Sequence, residues 1–179
     1  MLHCILGESG SGKSTIQKYL DFYIPSLKTY TTRPKRFYEK NGKHYHFISN
    51  DEFRHKLKEG FFVEYYYIEE NEWFYGISLK DIDYKKRHYT LVLTPQGYRE
   101  LIKKIGKEYV RSYYIKVNER ERIMRMLTRQ DDIDEIFRRI KSDREDFKNF
   151  DLEADMTLQS IDSNENAERI LFSLKERAF

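Results

Sequence analysis

The chain has 179 residues, enough for one compact domain that buries roughly 70% of its unfolded surface. Hydrophobic residues make up 39% and aromatic residues 16%, against only 8 glycines and 3 prolines, which excludes collagenous and low-complexity proteins. Because 33 lysines and arginines face 30 aspartates and glutamates, the net charge of +3 is too low for a generic nucleic-acid coat protein.

Strands and helices alternate in the predicted secondary structure. Short apolar runs predict the strands, and amphipathic stretches between turn residues predict the helices. The predicted strands cover 2–6, 61–68, 88–93, 110–117 and 155–160, and the predicted helices cover 13–22, 49–59, 95–105, 119–128, 133–147 and 164–176. This alternation is typical of a three-layer α/β/α fold with a parallel core sheet. We find no repeat and no long linker, so we predict a single domain.

The segment 29–48 is polar and aromatic, and we predict a small second sheet there. Its Asn41-Gly42 pair is a strong signal for a hairpin turn, which would join strands at 37–39 and 44–48.

The single cysteine, Cys4, lies in the first predicted strand and excludes an intrachain disulfide. The sequence has no signal-peptide pattern and no apolar run near the roughly 20 residues that cross a bilayer. We therefore predict a cytoplasmic protein with no membrane partner.

Residues 7–14 match the phosphate-binding loop pattern G-x-x-x-x-G-K-[ST], between a predicted strand and a predicted helix. In such a loop the backbone N–H groups and the helix N-terminus face a polyphosphate, and Lys13 adds a positive charge. Ser14 would ligate Mg²⁺. A glycine-rich and serine-rich surface loop is the alternative, and the strand-loop-helix context disfavours it. The predicted ATP-binding residues here are Gly7, Glu8, Ser9, Gly10, Ser11, Gly12, Lys13, Ser14 and Thr15.

A second basic cluster follows in the segment 29–48. Arg33 and Arg36 lie three residues apart, with the hydroxyl of Tyr45 further on. Guanidinium groups bind phosphate oxygens in a bidentate manner, so these side chains could hold one phosphate. A solvated basic edge is the alternative interpretation.

These two segments resemble the guanylate kinase family of nucleoside monophosphate kinases. Residues 7–15 resemble G-P-S-G-x-G-K-S-T, and residues 31–45 resemble T-T-R-x-P-R-x-G-E-x-x-G-x-D-Y. The resemblance covers nearly the whole chain and implies ATP and Mg²⁺ as cofactors. It also implies a core of 1–28, 79–128 and 149–179, a monophosphate-binding region at 29–78 and a lid at 129–148.

The resemblance further assigns roles to individual residues. Phe61–Tyr65 resembles F-L-E-W and Phe74–Gly76 resembles Y-Y-G, while the segment from Arg125 to Arg139 resembles the family's lid arginines. The implied acceptor-binding residues are Thr29, Arg33, Arg36, Glu39, Tyr45, Glu64 and Tyr75. The implied catalytic residues are Lys13, Arg33, Arg129 and Arg139, and Arg125 joins the ATP site.

Some arginines of the 125–139 segment have a plainer interpretation. Arg125, Arg129, Arg138 and Arg139 could pair with Asp131, Asp132 or Glu135 on helix surfaces, and we favour such pairing for Arg138. His44, His46, His55 and His88 lack metal-ligand spacing and are assigned no role.

The chain departs from the family pattern around the acceptor base. Residues 91–97 stand where the family reads L-D-I-D-x-Q-G, with Val92 and Thr94 in place of the two aspartates. Ile77 replaces a small hydroxyl residue. A lost hydrogen bond to a buried group costs about 1–3 kcal/mol, so base preference is open, although Glu64 still favours guanine.

We therefore predict an ATP-dependent kinase of a nucleoside monophosphate, with GMP or dGMP favoured and no nucleic-acid partner. Two alternatives remain: a kinase of another nucleotide or sugar phosphate, and a non-catalytic protein-binding module. The intact phosphate-binding loop argues against the module, while the missing aspartates support it.

Overall fold

The computed structural model describes residues 1–80, 82–159 and 162–175. The described strands are β1 (Leu2–Leu6), β2 (Tyr30–Thr31), β3 (His46–Phe47), β4 (Glu64–Ile68), β5 (Trp73–Ile77), β6 (Tyr89–Val92), β7 (Val110–Ile115) and β8 (Met156–Leu158). The described α-helices are α1 (Lys13–Leu20), α2 (Asn50–Lys58), α3 (Pro95–Ile105), α4 (Glu119–Thr128), α5 (Ile133–Asp146) and α6 (Ser163–Lys175). Within these ranges, no helix combines the length and the hydropathy that a membrane-spanning helix needs.

The core sheet is parallel, with strand order β6-β1-β7-β8. Its two faces follow the alternation of side chains along β1. Leu2, Cys4 and Leu6 pack with α3 on one face, and Ile5 packs with α1 and α6 on the other. The three-layer α/β/α prediction is therefore confirmed.

Parallel pairing places the ends of β1 and β7 side by side. Leu6 of β1 lies beside Tyr114 of β7, and the segments that follow these two strands leave the sheet at the same edge. The segment after β1 is the glycine-rich loop, and the segment after β7 leads to α4. The fold therefore brings the loop against α4.

The second sheet has strand order β3-β2-β5-β4 and packs against an aromatic cluster. Phe53 of α2 stacks on Phe62 and Phe74, with ring centroids 4.3 and 5.0 Å apart. These three rings are buried. The cluster fixes α2 beneath the sheet that carries the second group of predicted site residues.

The predicted hairpin at 37–48 is wrong. The strand β3 pairs with β2 in parallel, and residues 37–39 form no strand. The Asn41-Gly42 turn exists, with Gly42 at φ 74°, but the Asn41 side chain accepts a hydrogen bond from the Phe47 amide at 2.8 Å. The chain before the turn makes a turn of its own, in which the Glu39 amide donates to the Arg36 carbonyl oxygen at 3.0 Å, so it does not extend alongside β3.

Other differences concern element ends and two missed strands. The helices α3 and α4 have the predicted bounds, whereas α1 ends at Leu20 rather than at 22 and β4 begins at Glu64 rather than at 61. The sequence did not predict β2 or β5, which lie side by side in the middle of their sheet. The prediction for residues 160 and 176 lies outside the described residues.

Candidate phosphate-binding and acceptor site

The loop between β1 and α1 is held in shape by glycines. Gly10 and Gly12 have φ of 80° and 96°, in the left-handed region where a Cβ is strained. A Cβ at Gly10 would also lie 2.6 Å from the Arg122 carbonyl oxygen. The loop therefore passes directly over the backbone of α4.

The Lys13 side chain folds back and bonds to the backbone of its own loop. Its ammonium group donates to the carbonyl oxygens of Gly7 at 2.5 Å and Glu8 at 2.9 Å. Burial lowers the pKa of Lys13 to about 8, while the carboxylates of Asp143 and Glu8 oppose that shift. Lys13 is therefore mostly charged at neutral pH and sits at the base of the loop.

Several loop amides point to no protein partner. The Ser11 amide bonds to the Glu8 carbonyl oxygen at 3.1 Å. In the part of the chain that the structure describes, no protein acceptor is recorded for the amides of Gly10, Gly12, Lys13 and Ser14. Amides converging at the start of a helix are suited to bind a phosphate group. The residues present thus fit a polyphosphate.

Ser14 and Arg125 flank this group of amides. Ser14 is exposed in the first turn of α1. Arg125 donates to the Gly10 carbonyl oxygen at 3.4 Å and to Glu121 at 3.0 Å. Among the described residues, no cluster of three or more His, Cys, Asp or Glu side chains could hold a metal ion. A Mg²⁺ ion would therefore depend on the Ser14 hydroxyl, water and the nucleotide's own oxygens.

The acceptor residues of the second sheet converge on Arg33. Its guanidinium is buried and bonds to both carboxylate oxygens of Glu39, at 2.7 and 3.0 Å. The Arg36 amide donates to the same carboxylate at 2.7 Å. These bonds hold the pKa of Glu39 below its ordinary value despite its burial. Glu39 therefore orients Arg33.

Aromatic rings complete this cluster. The Arg33 guanidinium carbon lies 5.4 Å from the centroid of the Tyr45 ring, within range of a cation–π contact. Tyr45 and Tyr75 have ring centroids 6.3 Å apart. Tyr75 in turn stacks on Tyr66 at 4.9 Å. The structure thus brings together Arg33, Glu39, Tyr45 and Tyr75, while Arg36 is exposed and its side chain bonds to Tyr38.

Glu64 lies between the second sheet and α3. Its side chain is 4% exposed and lies where Gly97 of α3 leaves room, because a Cβ at Gly97 would be 2.7 Å from Glu64 Oε1. Burial raises the pKa of Glu64 to about 7. The positive charge of Lys104 opposes this shift, and the negative charge of Glu100 adds to it. Glu64 is therefore poised between its neutral and ionised forms near pH 7.

The residues that depart from the family pattern lie in β5, at the end of β6 and at the start of α3. Ile77 is buried and pairs with Glu64 across β4 and β5. The Thr94 hydroxyl accepts a hydrogen bond from the Gly97 amide at 3.1 Å and caps α3. Val92 ends β6. Thr29 precedes β2, and its carbonyl oxygen accepts from the His46 amide at 2.9 Å.

The arginines of the 129–148 segment pair with acids of the same segment. Arg129 bonds to Asp131 at 2.8 Å, and Arg139 bonds to Glu135 at 2.7 Å. Arg138 also bonds to Glu135 at 2.7 Å, as favoured from the sequence. The charge of Arg129 contributes to lowering the pKa of Lys13, so it lies near the loop.

Two residues at the loop were missed by the sequence reading. Arg122 and Asp143 are buried and both contact Ser9. One signal was present: Ile136, Ile140 and Asp143 recur at the spacing of a single helix face, and the two isoleucines are buried. A charged residue on that face indicates a buried polar contact.

The parallel sheet, the loop after its first strand and the cluster around Arg33 define a phosphate-binding-loop α/β protein of the nucleotide kinase type. A family model described as guanylate kinase matches residues 2–176. The chain belongs to the guanylate kinase family.

Individual relatives are consistent with this membership. The chain is 35% identical over 151 residues to a guanylate kinase from Helicobacter hepaticus, a match that covers 79% of this chain and 74% of the relative. A guanylate kinase from Campylobacter jejuni is 36% identical over 136 residues, 72% of this chain. The match spans 65% of that relative, slightly under two thirds of its length.

A solved structure shares the fold. The guanylate kinase from Anaplasma phagocytophilum aligns with a TM-score of 0.74 at 23% identity and covers 98% of this chain and 85% of that one.

Proposed function

We propose that the protein transfers a phosphoryl group from ATP to a nucleoside monophosphate, with GMP or dGMP as the favoured acceptor. The observation that carries this proposal is the loop with Lys13, whose amides have no protein acceptor among the described residues, in a chain that also presents the Arg33 cluster. Membership of the guanylate kinase family supports the reaction class.

On the donor side, the loop amides and Lys13 would bind the phosphates of ATP, with Arg125 beside them. Ser14 would be the protein ligand of Mg²⁺, which when bound neutralises phosphate charge. In phosphoryl transfer the charge spreads over phosphate oxygens, so aligned positive groups contribute most of the rate enhancement. The remaining loop residues shape the backbone.

On the acceptor side, Arg33, Arg36, Tyr45 and Tyr75 would bind the monophosphate. Arg33 donates through Nη2 to Glu39 and through Nη1 to the Pro34 carbonyl oxygen, and these bonds keep its guanidinium oriented. A phosphate would bind the remaining N–H groups of the guanidinium. The acceptor's phosphate oxygen is already a nucleophile, so no side chain has to remove a proton. The task of these residues is to align the two phosphates and exclude water.

Recognition of the base would depend on Glu64 and Thr29. An ionised Glu64 can accept hydrogen bonds from N1–H and the exocyclic amine of guanine, a pattern that adenine and thymine lack. Thr94 caps α3, Ile77 is apolar and Val92 ends β6, so these side chains add little readout of their own. Guanine preference would therefore be weaker than in a protein that carries the two aspartates of the family pattern at positions 92 and 94.

We propose that residues 129–148 close over the reacting phosphates as a lid. Arg129 and Arg139 would exchange their bonds to Asp131 and Glu135 for phosphate oxygens. The proposed core comprises 1–28, 79–128 and 149–179, and the monophosphate-binding region comprises 29–78. A cytoplasmic location and the absence of nucleic-acid partners stay predictions.

The experiment is ADP production from ATP and Mg²⁺ with GMP, dGMP, AMP, dTMP, CMP and UMP supplied separately. We expect turnover with GMP and dGMP above all others. Turnover confined to another acceptor would favour the altered-substrate kinase, for which the Thr94 cap and the apolar Ile77 are the supporting observations. ATP binding without turnover on any acceptor would favour the binding module.

A further inference from the structure

The peptide group of Ser9 is held on both sides by buried charged side chains. The Ser9 amide donates to Asp143 Oδ2 at 2.7 Å, and Arg122 Nη1 donates to the Ser9 carbonyl oxygen at 3.2 Å. The same Arg122 nitrogen lies 3.4 Å from Asp143 Oδ2. Arg122 is 3% exposed and Asp143 is 9% exposed. We call this pair of residues the Ser9 clamp.

The clamp connects the loop to two helices outside it. Arg122 belongs to α4, and its Nε also donates to the Val117 carbonyl oxygen at 3.2 Å, just beyond β7. Asp143 belongs to α5. Since both residues are anchored in regular structure, they can fix the position of a loop that has no regular structure of its own.

The charge of Asp143 argues for a geometric role. A carboxylate beside a site for polyphosphate repels the ligand, and burial of an ion pair is favourable only when its hydrogen bonds are complete. Here Arg122 neutralises the carboxylate, which also accepts from the Ser9 amide. Arg122 donates to the carbonyl oxygens of Ser9 and Val117, and its Nη2 lies 4.0 Å from Glu8 and 3.9 Å from Glu119. An amide that donates to a carboxylate forms one of the stronger hydrogen bonds in proteins.

We propose that Asp143 and Arg122 are positioning residues for nucleotide binding. By holding Ser9, they keep the next amides of the loop, from Gly10 to Ser14, directed towards the phosphates. The inference rests on the proposed function in one respect, namely that the polyphosphate is that of ATP.

The test compares Asp143→Ala and Asp143→Asn with Arg144→Ala. Arg144 is the adjacent residue and also links α5 to α4, through Glu119 at 2.6 Å, but it is exposed. The first measurement is calorimetric binding of a non-hydrolysable ATP analogue with Mg²⁺ and without acceptor. The second is hydrogen exchange of the loop peptides in the unliganded protein.

We expect Asp143→Ala to raise the Kd of the analogue by about tenfold or more and to speed exchange in the loop. Asp143→Asn retains an oxygen that can accept from Ser9, so its Kd should lie between those of the wild type and Asp143→Ala. Arg144→Ala should match the wild type in both measurements. Binding of GMP should stay within about twofold in all three variants, which a general loss of structure would not allow.

Tighter binding of the analogue by both Asp143 variants would overturn the proposal, since it would make the carboxylate an electrostatic obstacle. Unchanged binding and exchange in Asp143→Ala would overturn it as well. If Asp143→Ala does not fold, the comparison of Asp143→Asn with Arg144→Ala decides. Failure of the proposed function has a different signature: the wild type would not bind the analogue, while loop exchange would still respond to Asp143→Ala.

Discussion

Lys13 is the residue on which the donor site depends most directly. Its ammonium group lies at the base of the loop, where it bonds to carbonyl oxygens of Gly7 and Glu8. We expect Lys13→Ala to reduce turnover by at least about a hundredfold while the protein stays folded, because a preorganised charge at the reacting phosphates is lost. Steady-state kinetics and circular dichroism measure this, with Lys18→Ala on the exposed face of the same helix as the control. Unchanged turnover in Lys13→Ala would show that the loop is not the donor site.

Arg33 is predicted to act on the acceptor phosphate alone. Removing a charge-assisted bond costs about 1.5–3 kcal/mol, so Arg33→Ala should raise the acceptor KM roughly 10-fold to 100-fold and lower kcat. The ATP KM should stay nearly constant. The neighbouring Lys35 is exposed, and Lys35→Ala provides a control of equal charge change. Equal increases of both KM values in Arg33→Ala would contradict the assignment.

Glu64 should make acceptor binding depend on pH. Its pKa is raised to about 7 by burial, so the carboxylate is largely neutral at pH 6 and largely ionised at pH 8. Because guanine needs an acceptor at this position, the KM for GMP should fall by about tenfold as pH rises from 6 to 8. We expect Glu64→Gln to remove this dependence.

Lys13 titrates close to the pH range of Glu64, so the effects of the two groups have to be measured separately. Its pKa of about 8 means that it loses its charge above that pH, which would raise the KM for ATP rather than for GMP. Recording both KM values across pH 6 to 9 therefore separates the two groups. A GMP profile that is the same in Glu64→Gln and in the wild type would refute the role of Glu64.

Among the secondary-structure elements, the contact between α3 and β4 depends on Gly97. An alanine Cβ there would lie 2.7 Å from Glu64 Oε1 and 2.9 Å from its Cδ, so the carboxylate would have to move. Alanine is better than glycine in a helix by about 1 kcal/mol, so the substitution does not weaken α3 through helix propensity. We expect Gly97→Ala to raise the GMP KM about tenfold with the ATP KM unchanged.

A double variant tests whether this effect passes through Glu64. The shorter side chain in Gly97→Ala/Glu64→Asp leaves room for the new methyl group, so the two substitutions should raise the GMP KM by less than the product of their separate effects. Gln96→Ala, on the exposed side of the same turn, is the control. Strict multiplicativity would show that Gly97 and Glu64 act independently.

For the molecule as a whole, a buried histidine in β1 couples stability to pH. His3 is 1% exposed, with Nε2 2.8 Å from His88 Nδ1 and Nδ1 3.2 Å from the Tyr113 hydroxyl. Burial, helped by the charges of His88, the N-terminal amine and Arg111, lowers its pKa to about 3. His3 therefore stays neutral in the folded protein at pH values where the same histidine is protonated in the unfolded chain, whose pKa is about 6.5.

The unfolded state therefore binds more protons than the folded state between about pH 3 and pH 6.5, and the free energy of unfolding falls as pH falls through that range. From pH 7 to pH 5 we expect His3 to account for a loss of about 2 kcal/mol. Denaturant titrations at both pH values measure it. His3→Gln should lose less stability on acidification, whereas His55→Gln, at an exposed site, should behave as the wild type. Identical acid sensitivity in His3→Gln would exclude this histidine as the cause.

Local signals explain why much of the fold could be predicted. Helices α3 and α4 begin where Thr94 and Asn118 accept hydrogen bonds from amides three residues later, and such caps are visible in sequence. The phosphate-binding loop and the alternation of strands and helices are equally local patterns. Strand β2 was missed because it has only two residues. Strand β5 was missed although Trp, Phe, Tyr and Ile favour strands, because Gly76 interrupts the pattern and the strand is held by its partners β2 and β4.

The sequence alone determined the class of fold, the loop and the family resemblance. The tertiary structure decided which polar groups meet: Arg33 with Glu39, Glu64 with Gly97, and Ser9 with an aspartate 134 residues away. It also decided that β3 joins β2 in parallel instead of forming a hairpin. The physical reason is that hydrophobic periodicity reports which face of an element is buried, whereas the partner of a buried charge is set by the packing of elements that are distant in the chain.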